Sequence, residues 1–150
     1  MYFLTADGDV YCHQAASQKI TKVAALSTIA GKTAPTGNFL LKNKWVILTN
    51  TGVYNYDLNS HRISVDADLN VKNGEVIRDN HGDFWIYNHT GHVTYILAKN
   101  GAKKEFHLIP EDKLGYIDYE RYHMVHDSRG IIWISTYGNG LFAYDTTEDK

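Results

Sequence analysis

One pattern occurs four times in this chain of 150 residues: an apolar segment, a glycine, and a second segment of alternating side chains. Successive glycines of the pattern are 44, 39 and 49 residues apart. A strand-rich repeat of roughly 40 to 50 residues is typical of a β-propeller blade. The copies are Tyr2–Cys12, Val46–Tyr56, Trp85–Tyr95 and Trp133–Tyr144, and their glycines are Gly8, Gly52, Gly91 and Gly140.

Each copy reads as two strands joined by a hairpin. The glycine supplies the positive φ that a tight turn requires. Positions two and four after the glycine are apolar or aromatic in every copy, and a strand places such positions on one face. We therefore expect these columns to form the packed face. They are Val10 and Cys12, Tyr54 and Tyr56, Val93 and Tyr95, and Phe142 and Tyr144.

A second turn precedes two of the copies, at Asp79–Gly82 and Asp127–Gly130. Each aspartate is expected to accept a hydrogen bond from the backbone amide two residues on. Short strands are predicted before these turns, and a closing strand after three of the copies. The strands before the turns are Glu75–Arg78 and His123–His126, and the closing strands are Ile20–Leu26, Ile63–Leu69 and Glu105–Ile109.

These elements predict an all-β chain, a partial β-propeller of about 3.5 four-stranded antiparallel blades. The strands group as three, four, four and three, in units of about 1–30, 31–70, 71–112 and 113–150. One segment has an alternative interpretation. Thr21–Gly31 has apolar residues near helical spacing and ends in glycine, so a short helix there competes with the strand.

The most complete copy, Asp127–Asp145, reads DSRGIIWISTYGNGLFAYD. It resembles the two-component-regulator propeller repeat, whose pattern is roughly D-x-x-G-x-[IL]-W-[IL]-[GS]-T-x-x-G-[GN]-L-x-x-Y-D. Asp79–Tyr95 is a weaker copy that keeps the aspartate, the tryptophan and both glycines but lacks the threonine. Val46–Asp57 and Tyr2–Cys12 keep only the second half of the pattern.

The resemblance implies a role in sensing. Such repeats belong to the periplasmic sensor regions of hybrid sensor histidine kinases from Bacteroides-type bacteria, which often sense oligosaccharides released from complex glycans. A family propeller has about seven blades, so this chain is expected to be a fragment, with its export signal outside it. Its implied partners are the remaining blades of the parent chain, a second copy at open blade edges, and an oligosaccharide. The parent is implied to be a histidine kinase, whereas this segment is not an enzyme.

Charge and hydropathy exclude several partners. The net charge is −2 and the basic residues are scattered, which argues against a nucleic-acid or anionic-membrane surface. No stretch approaches 18 apolar residues, so no membrane contact is expected from this segment. Cys12 is the single cysteine, so no internal disulfide is possible, and we expect it to be a small core residue.

Metal and cofactor motifs are absent or broken. Residues three apart on a strand point to opposite faces, which is poor geometry for metal ligands. The histidine pairs with that spacing are His89/His92 and His123/His126. Asp66–Asn70 begins like a calcium loop, but Val71 stands where that loop requires glycine. We predict no metal and no cofactor.

No catalytic residues are predicted either. Sialidase-type propellers carry an aspartate two residues before a glycine, whereas Asp127 lies three residues before Gly130. A propeller glycosidase or lyase fragment, and an interaction scaffold without a small ligand, remain the alternatives. Ligand-binding candidates are tyrosines outside the repeat columns, because sugar CH faces pack on aromatic rings and loops on rigid scaffolds carry function. They are Tyr116, Tyr119, Tyr122 and Tyr137.

Overall fold

The computed structural model describes residues 1–69, 71–88, 92–107, 123–136 and 140–148. In this part of the chain there are fourteen β-strands and one short helix. They fall into two compact units, Met1–Gly74 and Glu75–Lys150. Each unit contains two antiparallel sheets in which neighbouring strands follow chain order.

Unit 1, Met1–Gly74, holds a three-stranded and a four-stranded sheet. The first sheet consists of β1 (Tyr2–Leu4), β2 (Asp9–Gln14) and β3 (Lys19–Ala25). Helix α1 (Ser27–Ala30) lies in the crossover to the second sheet. That sheet consists of β4 (Pro35–Leu41), β5 (Lys44–Thr49), β6 (Val53–Asp57) and β7 (Ile63–Val65).

Unit 2, Glu75–Lys150, holds a four-stranded and a three-stranded sheet. The four-stranded sheet consists of β8 (Glu75–Arg78), β9 (Phe84–Tyr87), β10 (His92–Ile96) and β11 (Lys103–His107). The three-stranded sheet consists of β12 (His123–His126), β13 (Ile131–Thr136) and β14 (Gly140–Asp145).

The prediction of an all-β chain with the strand arrangement of a partial β-propeller is confirmed. The sheets have three, four, four and three strands, each an antiparallel meander like a propeller blade. Strands β8 and β12 begin and end at the predicted residues. The predicted boundaries of the four units, at about residues 30, 70 and 112, stay predictions.

Three predicted elements differ from the structure. The closing strand predicted from Glu105 begins two residues earlier, at Lys103. The closing strand expected over Ile63–Leu69 ends at Val65, so its second half is wrong. The reason is that Asp66 Oδ1 accepts the backbone amides of Asp68 and Leu69 at 3.1 and 3.2 Å, which forms a turn instead of a sheet ladder. The segment Thr21–Gly31 is divided, since β3 runs to Ala25 and a helix of only four residues follows.

The packed face lies partly where the repeat columns place it, while Cys12, Tyr95 and Phe142 are only half-buried, so the prediction that Cys12 is a core residue is wrong. Val10, Tyr54 and Tyr56 are buried in unit 1, and Tyr144 is buried in unit 2. In unit 1 they join a cluster completed by Leu26 and Ile47. The core cluster of unit 2 consists of Trp85, Tyr87, Met124, Ile132, Ile134 and Tyr144. Burial of each large apolar side chain contributes about 1.5 to 3 kcal/mol, so these clusters stabilise the sheets.

Candidate functional site

The aspartate of the first Asp–Gly turn is a structural anchor. Asp79 is only 7% exposed. Its Oδ1 accepts the backbone amides of His81 and Asp83 at 3.0 and 2.9 Å. Its Oδ2 accepts the indole N–H of Trp85 at 2.9 Å. The carboxylate therefore closes the turn and also fixes the buried indole of the following strand β9.

The second copy of this turn repeats the arrangement. Asp127 Oδ1 accepts the amides of Arg129 and Ile131 at 2.9 and 3.1 Å, and Oδ2 accepts the Trp133 indole at 3.0 Å. The indole, and next the Arg129 guanidinium at 2.7 Å, hold the pKa of Asp127 well below its usual value. The predicted amide bonds to both aspartates, Asp79 and Asp127, are confirmed.

Sequence reasoning missed the bond from indole to carboxylate. The signal was present, because tryptophan follows aspartate by six residues in both copies, Asp79 to Trp85 and Asp127 to Trp133. A carboxylate whose oxygens all accept internal hydrogen bonds is occupied by the scaffold. The best-preserved part of the repeat is therefore structural, and the candidate for binding lies elsewhere, in unit 1.

Unit 1 contains an open pocket of about 650 Å³. It lies between the β1–β2 hairpin, the crossover from β3 to β4, and the β5–β6 hairpin. In an antiparallel meander these three connections lie at the same ends of the strands, and the β4–β5 turn lies at the opposite ends. The polar side chains of the lining are Asp7, Asp9, Ser27, Lys32, Thr33 and Asn50. We call this the hairpin pocket.

Asn50 joins two walls of the hairpin pocket. Its Oδ1 accepts hydrogen bonds from the Thr33 hydroxyl at 2.9 Å and from the backbone N–H of Ala34 at 3.0 Å, and the backbone N–H of Asn50 donates to the Ala34 carbonyl at 3.2 Å. With Oδ1 occupied twice, the remaining polar group is the Nδ2 amide. Nδ2 donates to no residue in the described part of the chain, and Asn50 is exposed. The site thus presents a donor on a side chain that is already fixed.

A network of hydroxyl groups adjoins Asn50 through Thr33, which lines the pocket. Thr51 Oγ1 lies 2.9 Å from Thr33 Oγ1, 3.1 Å from Thr49 Oγ1 and 3.2 Å from the hydroxyl of Tyr54. Thr49 is fully buried and Thr33 is buried. Because Tyr54 belongs to the core cluster of unit 1, the network connects the lining residue Thr33 to the core. Such connected polar networks hold their members in one arrangement.

The charged groups of the hairpin pocket differ in their pairing. Asp9 pairs with Lys22 at 2.6 Å, which raises the pKa of the lysine. Asp7 and Lys32 are exposed and have no hydrogen bond or ion pair within the described ranges. The pocket therefore offers an acceptor at Asp7 and donors at Lys32 and Asn50.

The predicted ligand-binding tyrosines lie outside the residues that the structure describes. Tyr116, Tyr119 and Tyr122 fall in the connection between β11 and β12, and Tyr137 falls between β13 and β14. In unit 1 the corresponding kinds of connection, a crossover and a middle hairpin, line the hairpin pocket. The tyrosines stay predictions, while Asp7, Lys32 and Asn50 are candidates that sequence reasoning missed. The polar residues before Gly8 and Gly52 were their only signal.

Two absences concern the described residues alone. No group of three or more histidine, cysteine, aspartate or glutamate side chains there is placed to hold a metal ion. No helix in those ranges has the length and apolar character required to cross a membrane.

No family model matches this chain, and no curated protein matches it. Solved structures do match. One is the extracellular domain of a protein described as the hybrid two-component system BT4673 of B. thetaiotaomicron. It is 18% identical, covers 99% of this chain and 20% of its own, and has a TM-score of 0.62. A second structure of the BT4673 extracellular domain has a TM-score of 0.64 at the same identity and coverage.

Two further matches come from other Bacteroides proteins. The extracellular domain of the hybrid two-component system BT3049 of B. thetaiotaomicron is 15% identical, covers 98% of this chain and 19% of its own, with a TM-score of 0.58. An auxiliary nutrient-binding protein of Bacteroides ovatus is 14% identical, covers 99% and 36%, and has a TM-score of 0.56. Their descriptions name the extracellular domains of two-component systems and a nutrient-binding protein.

The chain spans about a fifth of the length of the sensor domains that it matches. Over that span it has the fold of the extracellular domains of Bacteroides hybrid two-component systems, as the Asp127–Asp145 repeat led us to expect.

Proposed function

We propose that this chain is part of the periplasmic ligand-sensing region of a hybrid two-component histidine kinase, and that the ligand is a glycan. The observation that carries the proposal is the fold match to two sensor extracellular domains over 98 to 99% of the chain. The Asp127–Asp145 repeat supports the same conclusion from sequence.

The hairpin pocket supports a glycan ligand. Saccharide hydroxyls both donate and accept hydrogen bonds, and the pocket offers carboxylate acceptors together with amide and ammonium donors. A fold neighbour described as a nutrient-binding protein is consistent with uptake-related ligands. The proposed role is therefore recognition of an oligosaccharide, with catalysis and signal output in other parts of the parent protein.

Binding is tested by isothermal titration calorimetry of the purified chain against oligosaccharide pools released from plant, host and microbial glycans. We expect at least one pool to give saturable heat. Failure of every pool, with a captured protein partner instead, would support the scaffold alternative and refute glycan sensing.

Location is tested in cells that express the natural full-length protein with a tag next to this segment. Protease added to spheroplasts is expected to cleave the tag, because the segment lies outside the inner membrane. Protection of the tag until the cells are lysed would contradict the periplasmic assignment. A cytoplasmic marker protein in the same preparation serves as the control for membrane integrity.

A further inference from the structure

We propose that the hairpin pocket selects neutral, hydroxyl-rich saccharides over acidic ones, and that Asp7 provides this selectivity. The inference rests on the proposed function, because it specifies which class of glycan the sensor recognises. It is carried by the inventory of charges and hydrogen-bonding groups that line the pocket, and not by the fold neighbours.

The charges at the hairpin pocket nearly cancel. The pocket is lined by the carboxylates of Asp7 and Asp9 and by the ammonium of Lys32. Asp9 is already paired with Lys22 at 2.6 Å. Two carboxylates and two ammonium groups leave the site near neutrality, so it holds no excess positive charge for a uronate or a sulfate.

The cation that lines the hairpin pocket is a lysine and not an arginine. Recognition of carboxylates and sulfates in proteins favours arginine, whose planar fork forms two parallel hydrogen bonds. The described lining contains no arginine, and its single lysine shares the pocket with Asp7. An acidic group bound at Lys32 would therefore meet a carboxylate that has no cation of its own.

The hydrogen-bonding groups of the hairpin pocket suit hydroxyl ligands. Asn50 presents its Nδ2 donor from a side chain fixed by Thr33 and Ala34. Asp7 accepts two hydroxyl donors at once, and Lys32 donates to hydroxyl oxygens. No aromatic side chain of the described part of the chain lines the pocket, so stacking does not contribute there. Vicinal sugar hydroxyls satisfy all three groups, whereas an apolar or fully anionic ligand leaves some unpaired.

The magnitude follows from Coulomb's law. Repulsion from Asp7 alone, at about 5 Å in water, would lower affinity about fourfold, and Lys32 offsets part of this. Since an acidic group also loses hydration in the pocket, we expect a neutral saccharide to bind about twofold to fourfold more tightly than its acidic counterpart at low ionic strength. Salt at about 0.5 M should reduce this ratio, because charges near the surface are screened.

The experiment uses acidic oligosaccharide pools before and after carboxyl reduction, together with naturally neutral pools. Reduction converts each uronate into a neutral sugar with unchanged linkage, so the compared ligands differ only where a carboxylate has become a primary hydroxyl. Calorimetry on the chain measures the affinity ratio of the neutral to the acidic form. Asp7→Asn should shift the ratio toward the acidic form, because Lys32 is then unopposed, while Asp68→Asn, the same change at an exposed turn residue of unit 1, should leave it unaltered.

Asn50→Asp is the second variant. It keeps an oxygen acceptor for Thr33 and Ala34 but removes the Nδ2 donor. We expect it to weaken both saccharide forms by about tenfold and to favour the neutral form still further. Unchanged thermal melts would show that the variant retains its fold.

Four outcomes are informative. A ratio that follows Asp7 supports the inference, and equal or tighter binding of the acidic form by the unaltered chain overturns it. Saccharide binding that neither Asp7→Asn nor Asn50→Asp affects would place the site elsewhere, which overturns the inference but not the proposed function. Absence of binding to any pool would contradict the proposed function itself.

Discussion

Replacing Asp79 by alanine should lower the free energy of unfolding by about 4 kcal/mol. The carboxylate accepts three hydrogen bonds, from the amides of His81 and Asp83 and from the Trp85 indole. The two donors in buried surroundings, the Asp83 amide and the indole, cannot turn to water. Each buried donor without a partner costs about 1 to 3 kcal/mol, and the partly exposed third adds less.

The assay is urea unfolding of the chain, followed by tryptophan fluorescence and by circular dichroism. At about 2 to 4 °C per kcal/mol for a chain of this size, the same change should lower Tm by roughly 8 to 16 °C. Asp68→Ala is the matched control, since this exposed aspartate lies in a turn and its carboxylate accepts no hydrogen bond from the described residues. It should alter stability by no more than about 0.5 kcal/mol.

A double-mutant cycle separates the indole bond from the turn. Trp85→Phe removes the N–H donor while keeping an aromatic side chain. Combined with Asp79→Ala, it should show a coupling energy of about 1 to 2 kcal/mol, because the two groups share one hydrogen bond. A loss below about 1 kcal/mol for Asp79→Ala, or additive effects in the cycle, would refute the anchor role.

Three further predictions concern titration and backbone geometry. The pKa of Asp127 is lowered, so its ionised carboxylate stabilises the fold above the usual aspartate pKa of 3.8, and this stability is lost as pH falls below that value. The free energy of unfolding of Asp127→Asn, measured in urea, should therefore fall less between pH 6 and pH 3 than that of the unaltered chain. Burial raises the pKa of Tyr56 to about 12, so the stability linked to its neutral phenol is fully present below the ordinary value of 10.0 and is lost as pH rises toward 12. Tyr56→Phe should therefore lose less stability than the unaltered chain when urea unfolding at pH 11 is compared with unfolding at pH 8. Gly8→Ala should lower Tm more than Gly31→Ala, because both have positive φ but only at Gly8 would the new Cβ lie 2.9 Å from Leu26.

Local signals account for the parts of the fold that the sequence predicted. Alternation and turn residues act over a few positions, and they located β8 and β12 to the residue. The closing strand after β6 failed for an equally local reason, because alternation continues through Asp66–Leu69. There the side chain of Asp66 accepts backbone amides that a continued strand would use for sheet hydrogen bonds. The hydropathy pattern contains no information about this competition.

The hairpin pocket could not be predicted in the same way. Asp7, Lys32 and Asn50 belong to three different connections, separated by 25 and 18 residues in sequence. Each is an ordinary turn residue by itself. They meet because the antiparallel order of β1 to β6 brings two hairpins and one crossover to the same ends of the strands. Aromatic loop residues attract attention in a sequence, whereas a site built from turn residues becomes visible only through topology.

The two units thus have different features at the ends of their strands. In unit 2, Asp79 and Asp127 use their carboxylate oxygens to accept hydrogen bonds from turn amides and indoles. The described residues of unit 1 contain no such turn, and Trp45 there donates its indole N–H to Asn38 on the neighbouring strand β4 at 3.0 Å. In unit 1, Asp7 and Asn50 keep groups available for a ligand. Changes at the aspartate anchors should therefore alter stability with little effect on affinity, while changes in the hairpin pocket should do the reverse. Because the two sets share no partners, their effects on stability should be additive.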